Sequence, residues 1–91
     1  MINVMIADDH AIVRQGLKIL IHSDPSLHVT AEAEDGEKAV QLAHAVRPDI
    51  VVMDVAMPNM SGLEATRLIT QTLPKIRVLV LSSYGDDESI R

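Results

Sequence analysis

Apolar positions along this chain fall into short solid runs that alternate with longer stretches of helical period. INVMIA (2–7) reads as a fully buried strand. AIVRQGLKILIH (11–22) has the helical period, with Val13, Leu17, Leu20 and Ile21 on one face and Arg14 and Lys18 off it. Gly16 costs that helix about 1 kcal/mol against alanine. SDPS (23–26) is a turn, and HVTAEA (28–33) alternates as a strand near a sheet edge does. EDG (34–36) breaks the chain before EKAVQLAHAV (37–46), a helix with Ala39, Val40, Ala43 and Val46 inward and Pro48 as its stop. DIVVM (49–53) is a third strand and GLEATRLITQTL (62–73) a third helix closed by Pro74. IRVLVLS (76–82) is a fourth strand, and GDDESIR (85–91) starts a helix with acids in its first turn.

Solid apolar strands joined by helices imply an α/β fold, a parallel sheet covered on both faces. Ninety-one residues make one small domain, and Tyr84 is the sole aromatic residue, so the core is aliphatic. A net charge of −5 argues against direct nucleic-acid binding, which needs a basic face. The absence of cysteine excludes disulfides and thiolate metal sites and points to a cytoplasmic setting. No apolar run reaches the ~20 residues of a membrane span, and MINVMIADDH is no secretory signal.

Candidate chemistry gathers where the strands end. In an open parallel sheet, ligands bind at the carboxyl ends of the strands, near the point where strand order reverses. The first strand ends in Asp8 and Asp9, the third in Asp54, the fourth in Ser82 and Ser83. Right-handed crossovers put these ends on one rim. If the first and third strands are neighbours, about 4.8 Å apart, three carboxylates converge. Like charges so close raise carboxyl pKa values or require a cation. Oxygen ligands suit Mg²⁺, which would neutralise an incoming phosphoryl group beside Asp54, the candidate nucleophile. An acid after a strand is also an ordinary turn former, and at this point both readings stand.

IADDH, MDVAMPNMSGLEA and VLVLSS, in this order and spacing, together resemble the receiver domain of bacterial two-component response regulators, in its LuxR-type (NarL/FixJ) branch. The resemblance implies a flavodoxin-like (CheY-like) doubly wound sheet in strand order 2-1-3-4, with the fifth strand and last helix missing from this chain. It implies a signalling phosphoacceptor of a transcriptional regulator rather than an enzyme, with self-phosphorylation from small acyl phosphates and slow autodephosphorylation. Asp54 would accept phosphoryl from a phosphohistidine on a sensor histidine kinase. Asp9 would bind Mg²⁺ directly and Asp8 mainly through water, together with Asp54 and the backbone carbonyl of Ala56. Ser82 would be the switch hydroxyl and Tyr84 the aromatic residue that changes rotamer with it. Pro58 and Gly62 would shape the loop over the site.

The same comparison marks gaps. The lysine that receivers carry after a fifth strand is not here; the last lysine is Lys75, before the fourth strand. DNA would be reached only through an absent C-terminal helix-turn-helix domain. The apolar fourth strand would become a sheet edge, predicting a homodimer or an exchanged assembly through it. Two rivals stay in view. One is an inert receiver-derived interaction module; the other is an Asp-nucleophile phosphatase, which wants an acid where Ala56 stands. The four histidines lack zinc-ligand spacing, and His10, which follows the acid pair and could border the site, reads first as a capping or surface residue.

Overall fold

In the computed structural model, which describes residues 1–81, each of the seven elements lies within one residue of its expected ends. In chain order they are β1 (Ile2–Ala7), α1 (Ala11–His22), β2 (Leu27–Ala33), α2 (Gly36–Val46), β3 (Ile50–Asp54), α3 (Gly62–Thr72) and β4 (Arg77–Leu81). Ser82, Tyr84 and the expected helix start at 85–91 lie outside the described residues. All strand pairings are parallel, and the order is β2-β1-β3-β4. The chain steps outward from β1 to β2, then returns across β1 to β3 and onward to β4. Right-handed crossovers in opposite directions put α1 on one face of the sheet and α2 with α3 on the other. The reversal lies between β1 and β3, and open parallel sheets bind ligands at the carboxyl ends beside such a reversal.

Alternation along the strands divides the core. Met5 and Ala7 of β1 and Val51 and Met53 of β3 face α2 and α3, and all four are buried. They meet Ala39 and Ala43 of α2 and Ala65 and Ile69 of α3. Three of these four helix residues are alanines, small enough to let the helix backbones come close to the sheet. Leu73 and Ile76 close the bottom of this layer. Truncating Ile69 to alanine in so tight a core costs about 2–5 kcal/mol.

The other face is thinner. Val4, Ile6 and Val52 are buried there, yet α1 itself contains no buried residue. The face that Val13, Leu17, Leu20 and Ile21 share is only partly covered. Leu20 is 69% exposed and Val13 41%, while Leu17 and Ile21 are half-buried. Among the described residues nothing packs on the outer side of α1 to complete that layer. In α2, Val46 is likewise exposed, because the helix ends there and Arg47 turns the chain in the left-handed region, with φ 49°.

Candidate acidic site at the carboxyl ends of the strands

The acids come to the rim by strand register. Ala7 of β1 pairs with Met53 of β3, so Asp8 and Asp54 occupy the next position on two neighbouring strands. Both are buried, at 6% and 5% exposure, in spite of their charge. Asp8, Asp9, His10 and Asp54 each bring one ligand atom into a group whose atoms all lie within 4.8 Å of one another. The expected convergence of Asp8, Asp9 and Asp54 is thus present in the geometry. Ala56 lies two residues beyond Asp54 in an exposed loop, and Ser82 and Tyr84 fall outside the described residues.

Asp54 carries the electrostatic strain. Burial pushes its carboxyl above the ordinary range, and the neighbouring charge of Asp8 pushes it further. The Val55 N–H and the His10 imidazole pull the other way and are outweighed. Opposite charge supplied to the cluster relieves this penalty. Three carboxylates clustered on a solvent-facing rim are the donor set of a hard divalent cation that keeps part of its water shell. The residues fit Mg²⁺.

His10, read first as a capping or surface residue, belongs to the group it was said to border. It stands at the N-cap of α1, but its side chain makes no cap hydrogen bond. Its backbone N–H donates to Asp8 Oδ1 at 2.8 Å, and ring Nδ1 lies 2.9 Å from the same oxygen and 3.1 Å from Asp9 Oδ1. The hydrogen bond to Asp8, then the charge of Asp9, holds the imidazole pKa above its usual value. Arg14 was read as off the packed face, and it is a strut. Its Nη1 donates to the Asp8 carbonyl at 2.7 Å, and its Nε reaches Glu32 Oε1 at 3.1 Å. Lys18 holds the other oxygen of Glu32 at 2.9 Å, and these partners, Lys18 first, depress the Glu32 pKa.

The loop between Asp54 and α3 is pinned at both ends. Gly62 N–H donates to the Val55 carbonyl at 2.7 Å. A Cβ on Gly62 would stand 1.8 Å from the Asp54 carbonyl oxygen, so glycine is required by close approach. Ser61 caps α3 by accepting from Glu64 N–H at 3.1 Å. Midway, Asn59 adopts φ 69° and donates from Nδ2 to Asp35 Oδ2 at 2.9 Å. The other oxygen of Asp35 caps α2 by accepting from Lys38 N–H at 2.7 Å. Gly36 lets the Met60 carbonyl approach to 2.1 Å of where a Cβ would be. The pattern S-x-x-E at Ser61–Glu64 announced the cap. No local signal announced the clamp between Asp35 and Asn59, which are 24 residues apart.

The family profile described as the response regulator receiver domain matches residues 4–91. The chain belongs to the response regulator receiver family. Among its relatives, the transcriptional regulatory protein DegU of Brevibacillus brevis is 46% identical over 88 residues, 97% of this chain and 37% of that protein. A protein-glutamate methylesterase/protein-glutamine glutaminase of Pyrococcus horikoshii is 42% identical over 92 residues, covering 99% of the receiver and 25% of that protein. In structure, a LuxR-family two-component response regulator from Aurantimonas sp. SI85-9A1 superposes with a TM-score of 0.87 at 40% identity, over 99% of this chain and 65% of that one. The receiver thus spans well under half the length of these curated relatives. The CheY-like fold, the strand order and the LuxR-type kinship expected from the motifs all hold. Among the described residues no helix is long and apolar enough to cross a membrane.

Proposed function

We propose that Asp54 accepts a phosphoryl group from a phosphohistidine on a sensor kinase, and that the receiver thereby switches a transcriptional regulator. One observation carries the reading. A buried carboxylate with a raised pKa stands at the end of β3, within 4.8 Å of two further carboxylates. A carboxylate oxygen of Asp54 forms the new P–O bond as the P–N bond of the phosphohistidine breaks. Strand β3, hydrogen-bonded on both sides, fixes the attacking oxygen, and pre-set position is a large share of phosphoryl-transfer catalysis. Asp8, Asp9, Asp54 and the Ala56 carbonyl would hold Mg²⁺, with Asp9 direct and Asp8 largely through water. When bound, Mg²⁺ supplies the positive charge that offsets the carboxylates and the phosphoryl oxygens. Gly62, against the Asp54 backbone, and the Asp35–Asn59 hydrogen bond fix the course of the loop beside the nucleophile.

Ser82 as the switch hydroxyl and Tyr84 as its aromatic partner belong to the same proposal. So does association through β4, which is an edge of the described sheet and carries Leu79 at 56% exposure. The phosphatase rival is disfavoured because Ala56 offers no proton to a leaving group. The test is incubation with Mg²⁺ and a small acyl phosphate, followed by intact mass. One added phosphoryl group in the native chain and none in Asp54→Asn supports the proposal. Metal binding without any adduct favours the inert module.

A further inference from the structure

We propose that a cavity at the opposite end of the sheet from the acids binds a small organic anion, a carboxylate with a short apolar body. The cavity measures about 430 Å³, within the ordinary range of small-molecule pockets. It opens where α2 and α3 end and where β3 and β4 begin. β3 runs five residues from there to Asp54, so about 16 Å separate the cavity from the acidic site.

Charge carries the inference. The chain as a whole stands at −5, a balance that repels anions. Among the described residues Arg14 and Lys18 are ion-paired with Glu32 and Arg67 with Glu64. Arg47 and Lys75, both exposed on the cavity wall, belong to no ion pair among those residues. Arg47 Nε reaches the His44 carbonyl at 3.5 Å, which leaves its two terminal nitrogens to a ligand. Arg77, exposed at the start of β4, brings a further cation to the same rim, its backbone N–H donating to the Asp49 carbonyl at 3.1 Å. The lining holds one acid, Asp49, and its Oδ2 is engaged by the Asn3 N–H at 2.8 Å. Two cations against one acid leave the cavity positive on a negative chain.

The walls suit a ligand with an apolar part. Leu73 and Ile76 form the base, and Pro48 and Pro74 stiffen the two loops that flank it. The methylene stems of Arg47 and Lys75 extend this apolar surface beneath their charged heads. Arg47 stands at φ 49°, where glycine is the usual residue of a helix end, so the chain bears a backbone cost to place a cation there. Stiff walls spare a ligand the cost of ordering them. Inorganic phosphate would meet the charges and leave the base unused, and a neutral apolar compound would do the reverse. A carboxylate on a short apolar body uses both.

The test titrates the 91-residue chain, free of divalent ions, with phenylacetate, phenylacetamide and inorganic phosphate, and follows the amides by NMR. Phenylacetate is expected to shift Arg47, Asp49, Leu73 and Lys75–Arg77 together, and to bind at least about threefold more tightly than either other probe. Arg47→Gly, which relieves the positive φ, and Lys75→Gln, on the surface, are expected to keep the fold. Each should weaken phenylacetate about three- to fivefold, while Lys38→Gln, at the far end of α2, should leave it unchanged. Equal binding by either other probe, shifts centred on Asp8, Asp9 or Asp54, or an affinity unmoved by both cavity substitutions overturns the proposal. None of these results bears on phosphoryl acceptance at Asp54.

Discussion

Two glycines, each replaced by alanine, give opposite outcomes if the geometry around Asp54 is right. Gly16 lies within α1, and an added Cβ there meets nothing within 4 Å. Alanine at 16 recovers about 1 kcal/mol of helix propensity. For a domain of this size that is a gain of about 4–8 °C in Tm. Gly62 opens α3, where propensity alone also favours alanine, yet its Cβ would stand 1.8 Å from the Asp54 carbonyl oxygen. Real Cβ atoms do not come nearer than about 3.0 Å, so β3 and α3 must part by 1.2 Å. Overpacking of this kind costs about 1–3 kcal/mol. The larger effect is on function. A misplacement of about 1 Å at a reacting group costs on the order of 10²-fold in rate. The assay pairs thermal unfolding with the initial rate of Asp54 phosphorylation from an acyl phosphate. Gly16→Ala should unfold later and react like the native chain; Gly62→Ala should unfold earlier and react about a hundredfold more slowly. A Gly62→Ala variant as stable and as fast as native refutes the close-approach argument.

Asp54→Asn should raise Tm at neutral pH without divalent ions, because it removes a buried charge. A carboxyl whose pKa is higher folded than unfolded supports the fold below its unfolded pKa. That support is lost as pH rises through the folded pKa. The gain from the substitution should therefore shrink as pH falls into the ordinary carboxylate range, and saturating Mg²⁺ should shrink it too; a pH-independent gain contradicts the desolvation account. Asn59→Ala loses a 2.9 Å hydrogen bond and puts alanine, which tolerates the left-handed region less well than asparagine, at φ 69°, for about 1–2 kcal/mol by chemical unfolding. Asn59→Gly keeps the backbone freedom and should cost less than about 1 kcal/mol; equal losses would mean the φ is not what asparagine is there for. On size-exclusion chromatography the chain should shift to a dimer as concentration rises, and Leu79→Lys should abolish the shift; a monomer throughout contradicts the β4-edge proposal.

The strands and helices were legible because period two and period 3.6 are local properties of the chain. Asp54 was legible too, since a carboxylate at the end of IVVM contradicts its own surroundings. The failures share one cause, which is that they depend on what stands across from a residue. The stripe Val13, Leu17, Leu20, Ile21 gave the apolar face of α1 correctly, but a stripe does not say whether another layer covers it. Arg14 and His10 look like ordinary polar residues until α1 is set down beside the end of β1. There one grips the Asp8 carbonyl and the other its carboxylate. Gly62 read as a helix start and is that, while its lack of a side chain answers to β3.

Amide NMR with Mg²⁺ and beryllofluoride tests most directly whether the acids form one site around a reactive Asp54. The account predicts that Asp8, Asp9, His10 and the Asp54–Ala56 segment shift together in a single saturable transition, and that Asp54→Asn abolishes the beryllofluoride response. Shifts confined to one strand end, or a beryllofluoride adduct that survives Asp54→Asn, would contradict it.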